Sequence, residues 1–478
     1  MRNSSSFKAS PSLLCLLLPL LLILAGLAQA RVPGVEFVNN MMVKGLSKDW
    51  DMIALVAEPL VVPQTGSKES DLIVGGLPGQ KPQVQYPQYA GYITVDATAG
   101  RALFYYFVEA IDNATSKPLV LWLSSGPGCS SLGDQALMGH GPYRVSTDGQ
   151  TIYGNNASLL QEANVIYLES TTGTGFSYSN TSSNYKGLND RKISEDNFRF
   201  LVNWLERFPE YKERMFFVGG EGYGASYAAQ LMQLILNYND AGGHTNITFT
   251  GILLGNAIID AESSVKGYLD NLWGHGMISR RLFNMINATC ESPFTRSCQM
   301  AHKFARQSVA PNYPYDFSAS ICNLTPPPNQ PIQNVDSLYE CSEKNVAEYL
   351  NTPEVQKALH VNPATIPQGW RQCNDDVANT YAEITPSTLP ILKNAIHHNL
   401  PLLVYRQAWF QSYNCRSDLP QAHNTNNMII FFQWFYSGDT DLSVPLHSTR
   451  YSLKKLNMTV VQKWAMWTLD NYEVSTLS

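Results

Sequence analysis

The chain has 478 residues, 44% hydrophobic and 11% aromatic, enough apolar material for a large core in one domain with an inserted subdomain, or in two domains. Its formal charge of -6 comes without basic runs, which excludes nucleic acid as a partner. Neither Cys-x-x-Cys nor His-x-x-x-His occurs, so no metal and no cofactor is expected.

Residues 1–30 read as a secretory signal: Arg2 and Lys8 precede the apolar run 13–27, and Ala28-Gln29-Ala30 has the small-x-small form of a cleavage site. The run is shorter than the ~20 residues of a spanning helix, so no membrane association is expected once it is cleaved. Loss of Arg2 and Lys8 would move the charge from -6 to -8. Residues 31–70 form an N-terminal extension, and the main domain occupies 71–478. Seven Asn-x-Ser/Thr sequons follow the signal, at Asn113, Asn156, Asn180, Asn246, Asn287, Asn323 and Asn457, each a candidate glycan site on a surface loop. With Cys15 in the signal, seven cysteines remain, so at least one lacks an internal partner.

The apolar pattern alternates between strands and helices. Two β-rich runs within 89–108 are split by Asp96-Ala97-Thr98-Ala99-Gly100, which predicts a hairpin. The Val/Ile/Leu/Phe runs 117–123, 164–168, 215–218 and 249–254 suit strands buried on both faces. Between them, 194–208 and 223–237 repeat apolar residues at helical spacing, which predicts a mostly parallel sheet with right-handed crossovers and helices on both sides. The rhythm breaks over about 260–340, where cysteines and the run Pro326-Pro327-Pro328-Asn329-Gln330-Pro331 point to a disulfide-stapled helical insertion. It resumes with a helical segment 345–359, then 388–397 and the apolar run 400–405.

Gly219-Gly220-Glu221-Gly222-Tyr223-Gly224-Ala225 has the form of a strand-to-helix nucleophile elbow with glycine at the apex in place of serine. Glycine relieves the strain of that turn but supplies no attacking atom.

Together with this elbow, Leu121-Trp122-Leu123-Ser124-Ser125-Gly126-Pro127-Gly128-Cys129-Ser130-Ser131, Val165-Ile166-Tyr167-Leu168-Glu169-Ser170, Phe198-Arg199-Phe200-Leu201-Val202-Asn203-Trp204 and Ser437-Gly438-Asp439-Thr440-Asp441 with Pro445 carry a resemblance. The chain resembles the plant serine carboxypeptidase family from about residue 71 to 471. The resemblance implies an α/β-hydrolase fold, a vacuolar or secreted location, and removal of C-terminal residues from peptides, or acyl transfer in one branch. It implies that Gly222 stands at the nucleophile position, that Asp441 is the remnant of the triad acid, and that the backbone N–H groups of Gly126 and Tyr223 form the oxyanion hole. The triad histidine is expected after one more strand, and the chain ends at Ser478 first, so the last strand and helix of the fold read as missing. His447 lies too close in sequence to Asp441 to be oriented by it. Of the three side chains that grip a substrate carboxylate in the family, Glu221 remains, while the asparagine position is Ser124 and the second glutamate position is Gly139. Glu221 has thereby lost the like-charged neighbour that would make it share a proton.

The resemblance also implies the disulfides Cys129–Cys373, Cys290–Cys298 and Cys322–Cys341, leaving Cys415 over. Cys415 falls in 407–434, an atypical insert between the strand at 400–405 and the acid-bearing turn. Such an insert in a central strand must bulge out or replace half of the strand with Met428-Ile429-Ile430-Phe431-Phe432. Expected partners are a peptide or a small acyl substrate, and a second copy in a homodimer. Three readings follow: a catalytically dead carboxypeptidase-like protein, an active hydrolase or acyltransferase using another nucleophile, and a product of a retained intron without function. The first is favoured, because the fold motifs are kept and the site residues are lost.

Overall fold

Alternate residues of the apolar runs face opposite sides of one sheet. The computed structural model describes residues 60–81, 86–124, 126–243, 247–290, 295–307, 309, 342–406 and 441–458, with the backbone of strand segments at 45–46, 429–433, 467–469 and 472–474. The chain divides into two units, Met1–Val32 and Pro33–Ser478, and all that follows belongs to the second.

The hairpin is present as β1 (Gln88–Asp96) and β2 (Arg101–Val108). Next come β3 (Leu119–Leu123), β4 (Asn164–Leu168), α1 (Asp190–Arg207), β5 (Phe216–Glu221), α2 (Gly224–Asp240) and β6 (Phe249–Gly255). After the insertion follow β7 (Leu402–Arg406) and β8 (Ile429–Gln433). The sheet order is β8-β7-β6-β5-β3-β4-β2-β1, with β8 through β4 parallel and β2 and β1 antiparallel. On β3, Leu119, Leu121 and Leu123 enter one core with Phe200 and Trp204 of α1 and Leu231 of α2. Val120 and Trp122 enter the other, with Leu132, Tyr143 and Tyr349. A strand covered on both sides has no polar face to show, which is why these runs read as uninterrupted apolar stretches. Helix α1 starts where the Asn189 side chain accepts from Lys192 N–H, and carries Arg207 in its last turn, against the dipole's negative end.

Three features depart from the sequence reading or add to it. The helical segment 345–359 is two helices, α6 (Ser342–Leu350) and α7 (Pro353–Ala358), because Pro353 has no N–H to continue the first and serves as the opening residue of the second. The run at 429–433 neither bulges out of β7 nor replaces half of it. It pairs in parallel along the whole of β7, Leu402 with Ile429 through Arg406 with Gln433, as an added strand beside it. The C-terminal residues Trp467–Leu469 and Tyr472–Val474 pair as an antiparallel hairpin. The insertion is helical as expected: α3 (Ala261–Gly274), α4 (Arg280–Thr289) and α5 (Arg296–Gln307) pack around Leu272 and Ile286 as a third core.

Cys129–Cys373 and Cys290–Cys298 are both bonded. Cys322–Cys341 and Cys415 lie outside the described residues, as do the signal segment, Asn246 and Asn323. Asn113, Asn156, Asn180, Asn287 and Asn457 are all exposed. No described helix is long and apolar enough to cross a membrane.

Candidate functional site

The end of β5 meets the start of α2 in a turn with Gly222 at its apex. Its φ is +56°, in the left-handed region where a side chain is strained. Its N–H donates to Gly255 O at 3.1 Å and its carbonyl accepts from Ile258 N–H at 2.9 Å, so the turn is held by the chain leaving β6. An added Cβ on Gly224 would lie 2.4 Å from both Leu123 O and Ser124 O, so the first turn of α2 rests directly on the end of β3. This packing needs the glycines around the apex and places the elbow at the carboxyl ends of the parallel strands.

The two expected oxyanion-hole donors sit on either side of that contact, Tyr223 opening α2 and Gly126 in the loop that leaves β3. The Gly126 loop is fixed from outside the sheet: its carbonyl accepts from Cys129 N–H at 3.0 Å, and Cys129 is bonded to Cys373. Backbone bonds from Ser130 N to Gln372 O at 2.9 Å and from Asn374 N to Gly128 O at 2.8 Å complete the clamp. The Tyr223 ring is used elsewhere, its hydroxyl donating to the buried Asp190 at 2.7 Å.

Asp441 is 4% exposed and anchored on three sides. Oδ2 accepts from Asn256 Nδ2 at 2.8 Å, and Oδ1 from the N–H groups of Ser443 at 2.7 Å and Val444 at 3.0 Å. Asn256 directly follows Gly255, which binds the apex, so the acid remnant and the apex are joined through two consecutive residues after β6. His447 rides on α8 (Leu446–Lys454), with its ring 6.2 Å from that of Tyr451. Ser226, the nearest hydroxyl along α2, donates to Ile258 O at 2.7 Å and is 3% exposed, a helix-packing role.

At the corner where the resemblance places the substrate carboxylate, the side chains are engaged with one another. Glu221 is 4% exposed and accepts from the Gln135 amide, Nε2 to Oε2. A Cβ on Gly139 would lie 2.1 Å from Gln135 Oε1, so Gln135 occupies the space where a side chain at 139 would start. Where two acids would share a proton, an acid and an amide now meet, and the amide serves Glu221 as a donor without one. Gln135 and Gly139 are four residues apart on a π-helical stretch, Leu132–Met138, and its C-cap. The neighbouring Asp134 accepts from Ser124 Oγ at 2.8 Å, so the degenerate asparagine position is tied to a second acid. Burial, and then the charge of Asp134, push Glu343 of α6 up to about 7. Burial, with Glu221 beside it, pushes the Tyr405 hydroxyl well above its usual value. His140, next to Gly139, is pushed down to about 3 by burial and by Arg144, and its ring lies edge-on to Trp122 at 4.1 Å. It is a neutral packing imidazole at mildly acidic pH.

Gln135 and Asn256 escaped sequence reasoning. Gln135 carried a usable signal, because residues four apart on one helical face cover each other and a vacated position invites its neighbour. Asn256 carried none, since its bond to Asp441 spans 185 residues.

An open, mostly parallel sheet with a strand–turn–helix elbow at its carboxyl edge defines an α/β-hydrolase. Residues 78–408 match the serine carboxypeptidase family. Serine carboxypeptidase-like 40 of Arabidopsis thaliana is 37% identical over 415 residues, 85% of this chain and 75% of that protein. Serine carboxypeptidase-like 28 of the same plant is 36% identical, over 84% of this chain and 81% of the relative. Among solved structures, Kex1, a prohormone-processing carboxypeptidase from Saccharomyces cerevisiae, superimposes with a TM-score of 0.63 at 19% identity over 82% of each chain, a likeness of fold. The chain belongs to the serine carboxypeptidase family.

Proposed function

We propose that this chain is a non-hydrolytic serine carboxypeptidase-like glycoprotein of the secretory pathway, extracellular or vacuolar, which keeps the family's cleft without its covalent chemistry. One observation carries the reading: the apex of the elbow, correctly placed between β5 and α2, is Gly222 at φ +56°. Acyl-enzyme formation needs an oxygen or sulfur at that point. Ser226 offers no substitute, since its hydroxyl is committed to Ile258 O one helical turn away. The corner supports the same reading, because Glu221 is already engaged by the Gln135 amide where a substrate carboxylate would need it. Secretion is supported by the features of residues 1–30, by the two described disulfides and by five exposed sequons.

Purified protein incubated with a fluorophosphonate probe and with blocked dipeptides is expected to show neither labelling nor release of C-terminal residues. Stoichiometric labelling that abolishes peptide hydrolysis would establish the alternative, an active carboxypeptidase or acyltransferase with a different nucleophile.

A further inference from the structure

Away from the elbow, the insertion brings two sulfurs and an imidazole together. Cys290 ends α4, its N–H donating to Ile286 O at 2.9 Å. Cys298 and His302 lie four residues apart on α5, hence on one face of that helix. The two Sγ atoms and a ring nitrogen of His302 all lie within 4.8 Å of one another. The spacing, Cys-x7-Cys-x3-His, is one that a search for paired Cys-x-x-Cys motifs passes over.

His302 sharpens the case. It is 1% exposed, and both its ring nitrogens are buried without a hydrogen-bond partner among the described residues. Around it are the apolar side chains of the third core, with the Tyr268 ring 6.3 Å away. An unsatisfied buried polar group destabilises the fold, and packing alone would favour an apolar residue of the same size. With the sulfurs bonded, the imidazole has no role there. With the sulfurs free, it completes a set of two thiolates and one neutral nitrogen, a donor set that suits a borderline-soft divalent ion with water in the fourth position. Two thiolates also cancel the charge of such an ion, so the assembled site is neutral in its apolar surroundings.

We propose that Cys290, Cys298 and His302 form a redox-gated zinc site. A dithiol reductant breaks the Sγ–Sγ bond, delivering two electrons and two protons and leaving as its own disulfide. Zinc then displaces both thiol protons to solvent and binds the two thiolates and one nitrogen of the imidazole. In the oxidised chain no thiolate is available and zinc is excluded.

The test uses the full secreted chain, oxidised and after reduction by a phosphine, with zinc counted by mass spectrometry and cobalt as a spectroscopic probe. Expected are no zinc on the oxidised protein, one zinc on the reduced protein, and thiolate-to-cobalt charge-transfer bands on substitution. His302→Leu should weaken zinc binding by at least about tenfold, yet leave the oxidised protein as heat-stable as the wild type or more so, because it removes an unsatisfied group. The double variant Cys290→Ser with Cys298→Ser, which keeps every other cysteine, should bind no zinc when reduced. Undiminished binding in either variant, or no uptake by reduced wild type, overturns the proposal.

Discussion

Glu169 offers a test of the fold's electrostatics that is independent of the elbow. Its carboxyl is fully buried just beyond β4, accepting from Phe176 N–H at 2.6 Å, from the Trp370 indole at 3.3 Å and from the Ser130 hydroxyl. Burial raises it from 4.5 to about 7, and the three donors pull weakly the other way. The native chain therefore keeps a proton that the unfolded chain has lost, and the stability Glu169 contributes is complete below pH 4.5 and disappears as pH rises through about 7. By pH 7 the loss amounts to about 3 kcal/mol, of which about 2 kcal/mol falls between pH 5 and pH 7. His140 works in the opposite sense: burial and Arg144 lower it from 6.5 to about 3, so its contribution is present above 6.5 and lost on acidification. The wild-type profile mixes the two signs, and the informative quantity is the difference from Glu169→Gln, a variant with the shape of the protonated acid. Urea unfolding followed by tryptophan fluorescence at pH 5 and pH 7 should show the wild type losing about 2 kcal/mol more than the variant over that interval. Parallel pH profiles in the two proteins would refute the argument.

Gly222→Ser places a side chain at φ +56° and should lower stability by about 1–2 kcal/mol, read as a shift in the urea midpoint at unchanged slope. Replacing Cys129 and Cys373 together by serine opens a link of sequence separation 244, and the chain-entropy argument gives a loss of about 5 kcal/mol, seen as a lower urea midpoint in the oxidised protein. Arg207 pairs with buried Asp71 at 2.6 Å, and Asp71 also accepts from Tyr105 at 2.6 Å. Arg207→Ala leaves that carboxylate buried without its counter-ion and should cost about 3–5 kcal/mol, whereas Arg191→Ala, in an exposed pair with Glu195, should cost under about 1 kcal/mol. Equal losses in the two variants would show that burial of the Asp71 pair has been misjudged.

The strands were legible because their signal is local. Runs such as 164–168 are apolar at every position, a pattern that buried parallel strands produce and few other elements do. The elbow was legible because its glycines form one local run, although the contacts that require Gly219 and Gly224 come from Trp122, Leu123 and Ser124 at the end of β3. The partners of the site were not. Asn256 with Asp441 and Ser130 with Glu169 join residues far apart in the chain, and nothing in either local segment announces the other. The added strand β8 was misread because an apolar run after an insert is as well suited to a new edge as to an old one, and only strand pairing decides.

The changes at this site share a direction that bears on how a fold outlives its chemistry. A nucleophile elbow stores strain, since a serine there must accept a backbone conformation that glycine adopts freely. A pair of carboxyls sharing one proton stores repulsion in the same way. Gly222 removes the first, and the Gln135 amide set against Glu221 removes the second. Both features therefore favour the folded state, and neither disturbs the two cores on which the sheet rests. The converse holds for the clamp on the Gly126 loop, where a disulfide and two backbone bonds serve structure whether or not an oxyanion ever forms there.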